Sequence, residues 1–160
     1  MINFSDNKKS IVITRNATYA AAYVALCFIF APISYGPIQI RIAESLTILP
    51  IFDKYALISI TLGCFLSNLF MSNIWDMIFG TIATFIGLFF INRIKTNNFF
   101  VKMLPSILSN AIIIPLVLKY GYGYSDVVYY MEFFFISIGE IISIYGIGYI
   151  LYKCLWKMIK

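Results

Sequence analysis

The sequence has no histidine, and its 160 residues include only seven acids and twelve bases. Without histidine there is no His-centred zinc site, no His-based triad and no imidazole proton relay. The three cysteines, Cys27, Cys64 and Cys154, stand apart with no CxxC spacing. They read as small buried residues, and neither a disulfide framework nor a metal motif follows from them. There is no GxxxxGK[ST] phosphate loop, no GxSxG elbow and no pair of mid-span aspartates, so neither ATP hydrolysis nor intramembrane proteolysis is encoded. Charged residues make up 12% of the chain and hydrophobic ones 61%, against about 25% and about 45–50% in a soluble domain. A water-soluble fold of this size cannot hide that excess, because small domains leave much of their surface wet.

What is abundant is apolar sequence, with a mean hydropathy of +0.88. A spanning helix takes about 20 residues, which allows about six spans and little else. The expectation is one all-α transmembrane domain over residues 1–160, a six-helix bundle in the cell (cytoplasmic) membrane. No enzymatic activity, metal or cofactor is expected of it. The polar, basic start, MINFSDNKKSIVITRN, leads into an apolar run longer than the core of a cleaved signal peptide. Residues 1–14 therefore read as a cytoplasmic segment ahead of a retained first span.

Apolar stretches place spans near 16–34, 41–52, 55–71, 74–92, 101–118 and 129–152. The second covers only about 18 Å as an α-helix, short of the ~30 Å hydrocarbon core, and holds Pro50. It reads either as a tilted short crossing or as a re-entrant segment lining a cavity. Charge decides between them. Six crossings with the N-terminus inside put ten of the twelve basic residues in the cytoplasm, leaving only Arg41 and Lys119 outside or in the membrane. Five crossings put four inside, or eight if inverted. Cytoplasmic loops collect Lys and Arg, so six spans with both termini cytoplasmic are expected. The net charge of +5 thereby reports orientation and calls for no nucleic acid.

Small residues at four-residue spacing mark close helix approach. Ser59, Gly63 and Ser67 form such a seam in the third span, as do Gly80 with Thr84 and Ala83 with Gly87 in the fourth. Ala17, Ala21 and Ala25 form an AxxxAxxxA stripe on the first span. It fits an internal seam or a groove that receives a helix of another subunit.

Polar side chains inside a span cost a few kcal/mol and need a reason. Glu44, Asn68 and Asp76 fall within about a turn of the outer ends of their spans. Asn110 lies about 12 Å deep and Glu140 about 16 Å deep. All five sit in the outer half, as the lining of one outward-facing pocket would. Each of the first four also has a structural reading. Arg41 and Glu44, three apart, can pair with each other. Asn73-Ile-Trp-Asp76 resembles an N-cap with an acid three positions on. Trp75 fits an interfacial aromatic belt, and Asn68 and Asn110 fit interhelical hydrogen bonds. Glu140, preceded by Gly139, is the hardest to explain structurally. Three acids against Arg41 suit a cation or a ligand rich in N–H donors. Tyr35, Trp75 and the tyrosines between 120 and 130 offer aromatic faces for a flat ring.

The strings QIRIAESLTILP (39–50), NIWDMIFGTIAT (73–84), SNAIIIPLVLKYGYG (109–123) and ISIGEIISIYGIG (136–148) resemble the QueT family over about residues 16–152. Ala43 stands where that family often has Ser. These are substrate-binding S components of energy-coupling factor (ECF) transporters, associated with queuosine precursors. The resemblance implies a six-helix subunit that captures 7-aminomethyl-7-deazaguanine or queuine from outside. It implies docking, through Ala17, Ala21 and Ala25, on a transmembrane coupling subunit that bears two cytoplasmic ATPases. Glu44 and Glu140 would accept hydrogen bonds from the guanine edge or pair with the amine. Asp76, Asn68 and Asn110 would orient the base, Trp75 would stack on it, and Arg41 and Gln39 would lie on the lid between spans 1 and 2. The alternatives are an S component for another flat vitamin or nucleobase, and a self-sufficient carrier using Glu140 as a proton site. The absence of an inverted repeat weighs against the carrier.

Overall fold

The computed structural model describes residues 8–34 and 40–159, and all regular structure among them is helical. Helix α1 (Lys9–Ile29) is followed by the single turn α2 (Ala31–Ser34) and a 3₁₀ helix, Ile42–Ile51. Then come α3 (Ala56–Met71), a π-helical turn (Asp76–Gly80) leading into α4 (Thr81–Arg93), and α5 (Phe99–Tyr122). The last helix begins as α6 (Asp126–Glu140), passes through a π-helical stretch (Ile141–Gly148) and ends as α7 (Tyr149–Ile159).

Four stretches are long and apolar enough to cross a bilayer: Lys9–Ile29, Asp76–Arg93, Phe99–Tyr122 and Asp126–Ile159. Ile42–Ile51 and Ala56–Met71 are apolar but shorter. Each apolar stretch of the sequence is thus helical, and the protein is a multi-pass, all-α membrane protein. The two largest boundary differences from the expected spans lie at the start of the first helix and the end of the last. The first helix starts at Lys9, inside the segment expected to precede it, because SIVIT contains no helix breaker. The last helix runs on to Ile159, because its lysine-bearing end continues as an amphipathic helix without a stop signal.

The Ile42–Ile51 segment lies within the bundle. Ala43, Glu44, Ser45, Thr47, Ile48, Leu49 and Pro50 are all buried. A ten-residue 3₁₀ run is unusually long. Its winding stretches the segment to about 20 Å, against about 15 Å as an α-helix. Its far end is pinned to α1, where Arg15 Nε donates to Asp53 Oδ2 at 2.7 Å. The other Asp53 oxygen accepts the Tyr55 backbone N–H at 3.0 Å and starts the turn into α3. The segment therefore runs back antiparallel to α1. Phe52 reaches the last helix, with its ring 5.5 Å from that of Tyr152, which in turn packs 4.8 Å from Phe99.

The small-residue seams make close helix contacts. A Cβ on Gly63 would lie 2.8 Å from Tyr23 Cβ, so α1 and α3 touch there at backbone range. Asn16 and Ser59 hydrogen-bond across the same seam. A Cβ on Gly87 would lie 2.6 Å from Ser106 Cα, which joins α4 to α5. Asn98 caps α5, its side chain accepting from the N–H groups of Phe100 and Val101. Gly123, at φ +72°, ends α5 in the left-handed conformation that favours glycine. Cys27 and Cys64 are buried as expected, but Cys154 is exposed, because no residue of α7 is buried. None of the three is in a disulfide.

The seams predict opposite outcomes at two glycines. Gly87→Ala drives a methyl into backbone and lowers stability by about 1–3 kcal/mol. Gly146, where an added methyl would meet nothing within 4 Å, accepts Ala with no loss or a gain of up to about 1 kcal/mol. Reversible unfolding titrations in detergent measure both.

Candidate ligand-binding site

One group of buried polar residues, Tyr23, Arg41, Glu44, Asn110 and Glu140, is supplied by α1, the 3₁₀ segment with the residue before it, α5 and the last helix. Tyr23 is carried in by the face of α1 that packs on Gly63, and it is 1% exposed. Its hydroxyl donates to Glu44 Oε1 at 2.5 Å. Glu44 sits in the first turn of the 3₁₀ segment, where its backbone N–H bonds to the Arg41 carbonyl at 2.9 Å. Thr47 Oγ1 returns a hydrogen bond to the Glu44 carbonyl. Arg41 is itself buried, and its guanidinium acts electrostatically on Tyr23, Glu44 and Glu140 together.

On the opposite side, Asn110 of α5 donates through Nδ2 to Glu140 Oε1 at 2.9 Å. Both side chains are buried, and Glu44 is within electrostatic reach of Glu140. Among the described residues, four polar atoms in this centre or one turn beyond it are buried without a hydrogen-bond partner: Glu44 Oε2, Glu140 Oε2, Asn110 Oδ1 and Ser143 Oγ. Leaving such atoms unmet costs about 1–3 kcal/mol each, so a native protein keeps them for a reason. Three of the four only accept hydrogen bonds, provided both acids are ionised. The arrangement can take up a compact group with several N–H donors, or an ammonium.

Asn68 lies at the edge of this centre. Its Nδ2 contacts Cys64 Sγ at 3.5 Å and the Asp76 carbonyl at 3.3 Å, and Cys64 Sγ is 3.4 Å from Thr84 Oγ1. The Asp76 side chain points elsewhere. Its Oδ2 accepts from Ser72 Oγ at 2.5 Å and from Asn73 Nδ2 at 3.2 Å. Asn73 Oδ1 in turn accepts the N–H groups of Trp75 and Asp76, each at 3.0 Å, so the Asn73–Asp76 string forms a helix-start cap. Trp75 stacks on Phe79 with ring centroids 6.0 Å apart. Together with Ile113, Leu116, Val117 and Tyr120 these rings line an apolar cavity of about 370 Å³ at the Gly121 end of α5.

Glu44, Glu140, Asn110 and Arg41 are thus brought together, with Asn68 beside them, whereas Trp75 and the Asp76 carboxylate sit apart at the bundle end. Gln39 and Tyr35 lie outside the described residues. Ala17, Ala21 and Ala25 are all exposed, and the seam with α3 uses the other face of α1 instead. Sequence reasoning missed Tyr23, Cys64 and Ser143. Tyr23 carried one usable signal: with Tyr19 and Cys27 it forms a four-residue-spaced stripe on the face of α1 away from the alanines.

Helices of bilayer length around a buried, ionisable and partly unmet polar centre define a membrane protein that handles a polar solute. The QueT transporter family profile matches residues 13–157, and the chain belongs to that family. It is similar to the queuosine precursor transporter QueT of Lactococcus lactis subsp. cremoris (strain MG1363), at 39% identity over 90 residues. That match covers 52% of this chain and 53% of the relative, so it spans about half the relative's length. No solved structure matches.

The Tyr23–Glu44 contact predicts the cost of losing its donor. Tyr23→Phe leaves Glu44 with neither carboxylate oxygen hydrogen-bonded and lowers stability by about 1–3 kcal/mol. Asn110→Leu does the same to Glu140. Unfolding titrations in detergent measure both losses.

Proposed function

We propose that this protein is the solute-capturing S component of an ECF-type importer for a queuosine precursor. It would take 7-aminomethyl-7-deazaguanine or queuine from outside the cell. The observation that carries the reading is the pair of buried carboxylates. Glu44 and Glu140 each have one oxygen held by a protein donor and the other unmet, with the unmet Asn110 carbonyl beside Glu140. A guanine edge brings several N–H donors and an aminomethyl group brings a cation, which together answer those acceptors. Membership of a transporter family and the name of the Lactococcus relative point to the same solute class.

In this reading all six helical stretches cross, and the 3₁₀ segment completes its crossing through the turns at either end. Both termini then lie in the cytoplasm, at the end that carries Arg15, Lys54, Arg93, Lys102 and Lys153. Transport proceeds without chemical change to the solute. The energy is supplied by a coupling subunit with two ATPases, and the chain itself contains no phosphate loop. The outward-facing Ala17, Ala21 and Ala25 offer a smooth helix face for that partner, flanked by exposed Ile13, Phe28 and Ile29.

Calorimetric titration of the purified protein with 7-aminomethyl-7-deazaguanine tests the solute. Binding is expected, with queuine competing and Glu140→Gln weakening affinity about tenfold or more, the worth of one charge-assisted hydrogen bond. No binding of either compound rejects the solute assignment. Co-purification with a coupling subunit and two ATPases tests the assembly, and Ala21→Trp is expected to abolish it. Uptake that persists in cells lacking the ATPases would favour a proton-coupled carrier.

A further inference from the structure

The end of the bundle away from Trp75 and Gly121 carries a surplus of positive charge. Lys54, Arg93, Lys95, Lys102, Lys153 and Lys157 lie there, around the ends of the 3₁₀ segment, α4 and α7 and the start of α5. Asp53 is the acid at this end among the described residues, and its two oxygens are taken by Arg15 and by the Tyr55 N–H. Lys102 forms no ion pair among the described residues. A multi-pass protein presents a basic end of this kind to one surface of the bilayer.

A cavity of about 350 Å³ lies at this end, between the 3₁₀ segment, the α4–α5 connection, α5 and α7. Its walls divide by chemistry. Ile51, Phe99, Tyr152 and Trp156 make one side. The rings hold one another in place, with centroids 4.8 Å apart for Phe99 and Tyr152 and 5.7 Å apart for Tyr152 and Trp156. Thr96, Asn97 and Lys102 make the other side. Lys102 belongs to the first turn of α5, and a helical side chain leans toward the N-terminus of its helix. Its ammonium therefore reaches back toward Thr96 and Asn97, at the level where the chain leaves the helices. Lys95, Lys153 and Lys157 each adjoin a lining residue in the sequence and stand exposed.

A small free anion needs donors on several sides and gains nothing from an apolar wall. A phospholipid head uses both halves, a cation for its phosphate and an apolar face for its glycerol and first methylenes. No residue of α7 is buried, so the chains of such a lipid can continue along its uncovered surface. Basic pockets between helices at the membrane surface suit anionic headgroups. We propose that this cavity holds the head region of an anionic glycerophospholipid from the surrounding bilayer. Its phosphate pairs with Lys102, and its glycerol lies against Phe99, Tyr152 and Trp156. The site is separate from the Glu44–Glu140 centre and does not depend on the identity of the solute.

Trp156 is one of two tryptophans in the chain, so Trp75→Phe leaves it as the sole reporter at the cavity. The full-length Trp75→Phe protein is placed in phosphatidylcholine vesicles that contain a fixed fraction of brominated phosphatidylglycerol. Quenching of Trp156 is compared with that from the same fraction of brominated phosphatidylcholine. A preference of about fivefold for phosphatidylglycerol is expected, the worth of one basic residue at an anionic surface. Lys102→Gln should abolish the preference and Lys102→Arg should retain it. Lys54→Gln, which removes a charge from the same end but outside the cavity, should also retain it. Absence of a preference in the Trp75→Phe protein overturns the proposal. An equal loss in Lys54→Gln does so too, because it marks a general surface attraction. Excess inorganic phosphate at constant ionic strength should leave the preference intact. If phosphate abolishes it, the cavity takes a free anion and the lipid assignment fails. If there is no preference but Lys102→Gln stops co-purification with a coupling subunit, the cavity is a protein contact and the proposal is likewise overturned.

Discussion

Two carboxylates removed from water must be met by donors, and the packing of the surrounding helices follows from that demand. Glu44 is met by Tyr23, which reaches it only because α1 presses on α3 at Gly63, where any side chain would strike Tyr23 itself. Glu140 is met by Asn110, carried by an α5 that is drawn onto α4 at Gly87 just one turn away. Asn68 is crowded by Gly80 in the same manner, at 3.1 Å from a Cβ placed there. The small-residue seams and the polar centre are therefore one arrangement. In a bilayer there is little hydrophobic drive between helices, so close backbone approach and interhelical hydrogen bonds are what remain to bring them together.

The Ile42–Ile51 segment shows the same constraint acting on backbone geometry. It is pinned at one end by the Arg15–Asp53 ion pair and held part-way along by Tyr23. Ten residues wound as an α-helix would fall about 5 Å short of the length that 3₁₀ winding gives. Fixed attachments thus account for a hydrogen-bonding pattern that is normally confined to short pieces. The π-helical turns border the centre as well: Asp76–Gly80 supplies the carbonyl that Asn68 meets, and Ile141–Gly148 follows directly on Glu140. Wide turns of this kind are frequent at functional sites.

Much of this was legible from depth counting. Asn110 and Glu140 fall at similar depths when residues are counted from the helix ends, and they are hydrogen-bonded. The seams at Gly63 and Gly87 were legible because small residues at four-residue spacing, Ser59–Gly63–Ser67 and Ala83–Gly87, let helices approach closely. Trp75 and Asp76 were harder. Their depth matched the others, but the local cap built by Asn73 turns the acid into its own loop, and depth carries no information about direction. Tyr23 was hidden because a tyrosine in a chain that is 18% aromatic raises no signal until its neighbours are known. The 3₁₀ winding was not legible at all, since it depends on where the segment's ends are anchored and not on its composition.

The uncovered outer surface of α7 has a practical side. Cys27 and Cys64 are sealed inside the bundle, which leaves Cys154 as the one thiol on its outer surface. The unmodified chain therefore carries a natural single attachment point for a fluorophore or spin label, close to the basic end and remote from Glu44 and Glu140. A membrane-impermeant maleimide applied to one side of the membrane at a time would read the orientation of the bundle directly, with no cysteine engineered in or out.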